Sequence, residues 1–69
     1  MTRWAAQRVA DHVPDTRVRA EVRSIEDAAG IAAKLAALLR FDEDEAFVIA
    51  RSLWDRAKRI PLTGARGVP

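Results

Sequence analysis

One amphipathic segment near the end of the chain, "DEDEAFVIARSLWDRAKRIP" at residues 42–61, constrains the fold most strongly. Its apolar residues recur at helical spacing, which predicts a helix over residues 43–60 with a single buried face. That predicted inner face consists of Ala46, Ile49, Ala50, Leu53, Ala57 and Ile60. Asp42 is a predicted N-cap, Glu45 can complete a capping box, and Pro61 marks the end of the helix. A helix of this kind must pack its apolar face against another element.

The preceding segment, "SIEDAAGIAAKLAALLRF", supplies that element. It predicts a helix over residues 25–40 that is capped by Ser24 and carries Asp27 near its positive end. Its predicted stripe is Ala28, Ile31, Leu35 and Leu38, widened by Ala32 and Leu39. Only a short corner around Phe41 separates the two helices, so we expect a helical hairpin.

Residues 16–23, "TRVRAEVR", alternate strictly between apolar and charged side chains. This period predicts a half-buried strand with Val18, Ala20 and Val22 on its inner side. A single strand cannot satisfy its own backbone hydrogen bonds, and the sequence offers no second strand. With a short helix over residues 2–13, the predicted fold class is mostly α with one β-strand. It is a β-α-α core plus an N-terminal helix, dimeric through strand pairing across chains.

The length and composition set further limits. The chain has 69 residues and no cysteine, which predicts one small domain over residues 1–61, followed by a flexible tail at 62–69. A core of this size rarely supplies more than about 3–5 kcal/mol. Because disulfides and thiolate metal sites are excluded, we expect a homodimer. No apolar run approaches about 18 residues, so no membrane span is predicted, and we expect a cytoplasmic protein.

The sequence contains no pattern that indicates a catalytic site. The serines have no plausible base nearby, and the three glycines are too scattered for a phosphate loop. His12 is the single histidine, and with Asp11 and Asp15 it could be imagined as a metal cluster, although a solvated helix end is the simpler interpretation. We therefore expect no enzyme activity, no cofactor and no bound metal.

The segment "VRSIEDAAGIAAKLAALLRFDEDEAFVIARSLWDRAKR" resembles the N-terminal part of anti-sigma-factor serine kinases of the RsbT/RsbW type, members of the GHKL ATPase superfamily. The matching pieces are Val22 to Asp27, "KLAALLRFDEDEA" and "IARSLWDRAK", and the resemblance covers about residues 18–60. It implies a strand followed by two helices. It also implies a regulatory protein whose partner is a sigma factor or an antagonist protein.

The resemblance does not extend to the family's ATP chemistry. In the family's second helix a glutamate activates the nucleophile, and an asparagine four residues later binds magnesium. Asp55 and Arg59 stand at those positions. Arginine cannot ligate a cation, and the family's glycine-rich lid has no counterpart in this sequence. The resemblance thus implies a degenerate, shortened relative without ATP binding. The four-residue spacing of Asp55 and Arg59 instead predicts an ordinary ion pair on an exposed face.

An alternative is a ribbon-helix-helix transcription regulator. In that plan, strands from two chains enter the major groove of DNA, and the outward side chains read bases. The predicted strand would present Arg17, Arg19 and Arg23 to the DNA, and the net charge of +2 permits such binding. The four acids at 42–45 oppose it, because they would repel phosphate. A solvated strand face is the simpler interpretation of the arginines.

Two aromatic side chains of the last helix, Phe47 and Trp54, lie beside its apolar stripe rather than within it. They and Val48 either pack within the monomer, under the N-terminal helix with Trp4, or contact another chain. Aromatic residues are enriched in the cores of protein interfaces, and tryptophan is a frequent hot spot. We therefore predict a partner interface formed by Phe47, Val48, Trp54 and Trp4.

Overall fold

The computed structural model describes residues 3–60, which form four helices around one core. They are α1 (Arg3–His12), α2 (Asp15–Glu21), α3 (Ile25–Leu39) and α4 (Glu43–Arg59). Helix α4 is central, because each of the other three helices packs against it. The part of the chain described contains no strand, so the fold is an all-α four-helix domain. The predicted tail at 62–69 lies outside the described residues.

The prediction of a strand at residues 16–23 is wrong, since most of this segment belongs to α2. Val18 and Val22 are four residues apart, a spacing that puts them on one side of a helix as well as of a strand. Both are buried, whereas Ala20 between them is exposed. A helix also satisfies its backbone hydrogen bonds within the segment. The predicted strand pairing across chains therefore has no strand to form it. The same holds for the predicted DNA-binding ribbon.

The predicted hairpin of two helices is confirmed, together with both N-caps. The Ser24 hydroxyl accepts a hydrogen bond from the Asp27 backbone N–H at 3.2 Å. Asp42 and Glu45 form the reciprocal capping box, in which each side chain accepts from the other residue's backbone N–H at 2.9 Å. Between the helices Arg40 adopts the left-handed conformation with φ 62°, which ends α3 and turns the chain toward α4.

The face that α3 presents to the core matches the predicted one at Ala28 and Ala32 but differs from it at the C-terminal end. The buried residues of α3 are Ala28, Ala32 and Ala36. Leu38, predicted inside, is 76% exposed, and Leu39 is also exposed. Alanine side chains let two helix backbones approach closely, so the alanine row rather than the leucine pair meets α4. The larger Ile31 and Leu35 flank this contact and are half-buried.

Large buried side chains are few, and α4 supplies two of them. The fully buried residues with the largest side chains are Ile49, Leu53 and Val18. Alanines fill most of the remaining core, including Ala6 and Ala10 of α1, both 0% exposed. The predicted inner face of α4 is thus confirmed at its centre. None of the described helices has the length and apolar character needed to cross a membrane.

Helix α1 runs alongside α4 in the same direction. Near its middle, the Ser52 hydroxyl of α4 donates a hydrogen bond to Oε1 of Gln7 at 2.9 Å. At its end, the guanidinium of Arg56 donates to the backbone carbonyls of Ala10 and Val13. Because these contacts advance together along both helices, the first turn of α1 lies beside the first turns of α4.

Arg56 connects three helices. Besides bonding the two carbonyls at the end of α1, its Nη1 lies 3.2 Å from Oδ1 of Asp15 in the first turn of α2. The last carbonyls of a helix have no partner within that helix, and a guanidinium supplies several donors in a fixed geometry. The Arg56 side chain is only about one-fifth exposed. It therefore fixes the junction of α1 and α2 on α4.

Candidate interaction surface

An open groove runs between α1 and α4 on the outside of the domain. Helix α1 contributes Trp4 and Gln7 to its walls, and α4 contributes Asp44, Phe47, Val48, Arg51, Ser52 and Asp55. We call this the α1–α4 groove. The Ser52–Gln7 hydrogen bond closes its floor partway along. Trp4 of α1 with Phe47 and Val48 of α4 forms its apolar part, with Asp44 beside it, and the other lining residues are polar.

Two large aromatic side chains in the apolar part of the groove face solvent. Trp4 is 62% exposed and Phe47 is 63% exposed, while Val48 beside them is half-buried. The guanidinium of Arg8 lies 5.6 Å from the centre of the Trp4 ring, within the range of a cation–π contact. The core below contains neither aromatic residue. Their exposure therefore requires an explanation other than packing within this domain.

Trp54, predicted in the same interface, has a different environment. It is half-buried, packs against the core and does not line the α1–α4 groove. The ammonium of Lys58 lies 5.8 Å from the centre of its ring. Seven residues separate Phe47 from Trp54, so both lie along one flank of α4, two turns apart. The structure therefore brings together three of the four predicted interface residues and sets the fourth apart.

The apolar surface continues beyond Trp4 toward the end of α3. A second, shallow groove on the other side of α1 is lined by Trp4, Ala5, Arg8, Val9, His12, Leu39 and Phe41. Trp4 is the wall that both grooves share. The sequence pattern missed this extension because it assigned Leu38 and Leu39 to the core. The signal that could have revealed it was Ala36, which continues Ala28 and Ala32 at a spacing of four residues.

Charge is distributed unevenly along the outer face of α4, which we define as Asp44, Phe47, Val48, Arg51, Asp55 and Lys58. Glu43 and Asp44 are exposed at the N-terminal end, and Lys58 and Arg59 are exposed at the C-terminal end. The other terminal charges have structural roles, since Asp42 and Glu45 form the cap and Arg56 holds α1. The solvent therefore meets an acidic end and a basic end on one helix.

The predicted row of DNA-reading arginines does not exist as a row. Arg17 and Arg19 lie on α2, where two residues of separation place side chains about 200° apart around the axis. Arg23 lies beyond the end of α2, and its backbone N–H donates to Oδ2 of Asp27 at 3.0 Å. Arg17 forms an exposed ion pair with Glu21 at 2.8 Å. The helix thus disperses side chains that a strand would have aligned.

The residues considered for chemistry are not gathered into one site. Oδ1 of Asp55 lies 3.6 Å from Nζ of Lys58, so the ion pair of Asp55 is with Lys58 rather than with Arg59 as predicted. Nδ1 of His12 is 2.8 Å from the backbone carbonyl of Arg8. Within residues 3–60, no group of three histidine, cysteine, aspartate or glutamate side chains is arranged to hold a metal ion.

Arg56 is the residue whose role the sequence analysis missed. Its side chain joins three helices. Its position was informative, because Arg56 falls next to Leu53 and Ile60 on the helical wheel, at the edge of the buried face. A long cationic side chain at such an edge can reach the carbonyls of a neighbouring helix.

No protein-family model, no curated protein and no solved structure matches this chain. The resemblance to anti-sigma-factor serine kinases therefore stays a hypothesis that depends on the quoted residues alone. Its first matching piece, Val22 to Asp27, spans the link between α2 and α3 and the first turn of α3. The family has a strand at that point.

Proposed function

We propose that this chain is a non-catalytic protein-interaction module, and that its contact surface is the α1–α4 groove with the outer face of α4. The observation that carries the proposal is the exposure of Trp4 and Phe47 on one groove. Tryptophan and phenylalanine are enriched where proteins bury their contact surfaces. Neither ring contributes to the core, so both are available to a partner.

The energetics support this use of the groove. Burying a large apolar side chain completely is worth about 1.5–3 kcal/mol. Since Trp4 and Phe47 are each somewhat under two-thirds exposed, a partner that covers them gains roughly 1–2 kcal/mol from each ring. The charged residues Asp44 and Arg51 beside the rings supply directional contacts at the rim. An apolar centre with a charged rim is the usual anatomy of a protein interface.

A regulatory role follows only if the resemblance is correct. It then names a sigma factor or an antagonist protein as the partner to test first. The DNA-binding alternative is not carried forward, because the strand on which it depended is a helix. The non-catalytic part of the proposal predicts no saturable binding in a titration with ATP and magnesium, and micromolar binding would contradict it.

Site-specific photo-cross-linking tests the proposal directly. A benzophenone amino acid replaces Phe47 in the full chain, expressed in the source cells, and a second sample carries it at Ile25. Ile25 is a matched control, because it is 58% exposed and lies on α3 outside the groove. We expect discrete protein adducts from position 47, weakened by Trp4→Ala, and none from position 25. Equal labelling at both positions, or none at 47, would overturn the proposal.

A further inference from the structure

The charge distribution on α4 indicates what can occupy its outer face. The exposed acids Glu43 and Asp44 lie at one end, and the exposed cations Lys58 and Arg59 lie at the other. Two such helices placed side by side in the same direction would bring like charges together at both ends. Placed in opposite directions, each acidic end meets a basic end. The face is therefore complementary to itself in one orientation only.

The positions of these residues also define a register. When Asp44 lies opposite Lys58 of a second copy, residues whose numbers have the same sum lie at the same height along the two antiparallel helices. A two-fold axis repeats each contact, as an isologous interface requires. One alignment thus pairs Asp44 with Lys58 at both ends of the outer face.

Arg51 lies at the two-fold axis in this register, near Arg51 of the second copy. Two arginines at an axis repel each other unless carboxylates flank them. Asp55, which also pairs with Lys58 of its own helix, lies one turn further along each α4 on the same outer face, so each copy brings one carboxylate next to the arginines. The exposed ring of Phe47 then lies opposite the segment around Asp55, about one turn from the start of one α4 and from the end of the other.

We propose that the occupant of the outer face of α4 is a second copy of this chain, bound antiparallel with Asp44 opposite Lys58. This inference rests on the proposed function and names the partner of that same surface. It replaces the strand-paired dimer expected from the sequence with a dimer of helical faces. Salt weakens it, because the contacts at both ends join exposed opposite charges.

A charge-swap experiment with the full chain tests the register. Sedimentation velocity at low salt follows association for wild type, Asp44→Lys, Lys58→Glu and the double variant. Each single variant places like charges opposite each other twice, and we expect the association constant to fall about tenfold or more. The double variant restores opposite charges, so its association constant should return to within about threefold of wild type.

Matched controls separate this effect from general charge changes. Glu26→Lys reverses an exposed acid in the first turn of α3, as Asp44→Lys does in α4, and Lys34→Glu reverses an exposed lysine of α3. Neither should change association by more than about twofold, because both lie away from the outer face of α4. Circular dichroism verifies that each variant stays folded. If the single variants associated weakly because they were unfolded, the double variant, which carries both substitutions, would also associate weakly. A recovered association constant in the double variant therefore excludes unfolding as the cause.

The outcomes distinguish this inference from the proposed function. A wild type that stays monomeric up to millimolar concentration overturns the self-association, even if position 47 cross-links to a different protein and the proposed function stands. A double variant no better than the single variants overturns the antiparallel register. Failure of both association and cross-linking removes both proposals. Recovery in the double variant, with adducts of the chain to itself from position 47, supports both.

Discussion

The two faces of α4 differ in almost every physical respect. Its inner face carries Ile49 and Leu53, both 0% exposed, and the bonded guanidinium of Arg56. Its outer face carries Phe47, exposed beside charged residues. We infer that the inner face of α4 stabilises the fold and that its outer face is available for association. Substitutions on the inner face should change the free energy of unfolding, and substitutions on the outer face should change association alone.

The largest effect is expected at the centre of the inner face. Leu53→Ala removes a fully buried side chain, which typically costs about 2–5 kcal/mol. This loss is comparable with the roughly 3–5 kcal/mol that so small a core supplies. We expect circular dichroism to show a largely unfolded chain at room temperature. A cooperative thermal transition within a few degrees of wild type would show that the inner face does not dominate the fold.

Arg56→Met tests the polar part of the inner face. The substitution removes the donors to the carbonyls of Ala10 and Val13 but keeps a long apolar side chain. An unpaired, partly buried polar group costs about 1–3 kcal/mol, and we expect a loss of that size in urea unfolding. Arg59→Met is the control, because Arg59 is exposed near the same helix end. Equal losses in both variants would refute the role assigned to Arg56.

A smaller change in the free energy of unfolding is expected at the N-cap of α4. Asp42→Ala removes the acceptor of the Glu45 N–H bond and breaks the capping box. Loss of an N-cap costs typically about 1 kcal/mol. Urea unfolding should show this cost, with a smaller one for Glu43→Ala, which removes only a favourable charge near the helix dipole. A cost for Glu43→Ala as large as that for Asp42→Ala would contradict this assignment.

The hairpin of α3 and α4 was predictable because its signals are local. Ser24 and Asp42 are followed three residues later by Asp27 and Glu45, and these pairs form the observed caps. Helix α2 was not predictable from its period. Val18 and Val22 fit a strand and a helix equally well, and the residue that distinguishes the two, Ala20, is small enough to lie on either side.

The choice of buried face on α3 depends on distances that no local pattern contains. Leu38 and Leu39 are more apolar than Ala36, yet Ala36 is buried and both leucines are exposed, because burial follows the side of α3 that meets α4. The same non-local geometry separates Phe47 from Trp54. Seven residues fall about 20° short of two full turns, so Trp54 lies further round toward the buried face than Phe47 does. The sequence pattern alone does not distinguish the two positions.

The most direct test of the different roles of the two faces is thermal unfolding. Wild type and Phe47→Ala are compared over a wide range of protein concentration. Association that stabilises only the folded chain makes Tm rise with concentration. The wild type should show this rise. Phe47→Ala should lose it while matching the wild-type Tm at the lowest concentration, because Phe47 lies outside the core. A Tm independent of concentration in wild type, or lowered throughout in Phe47→Ala, would contradict the account.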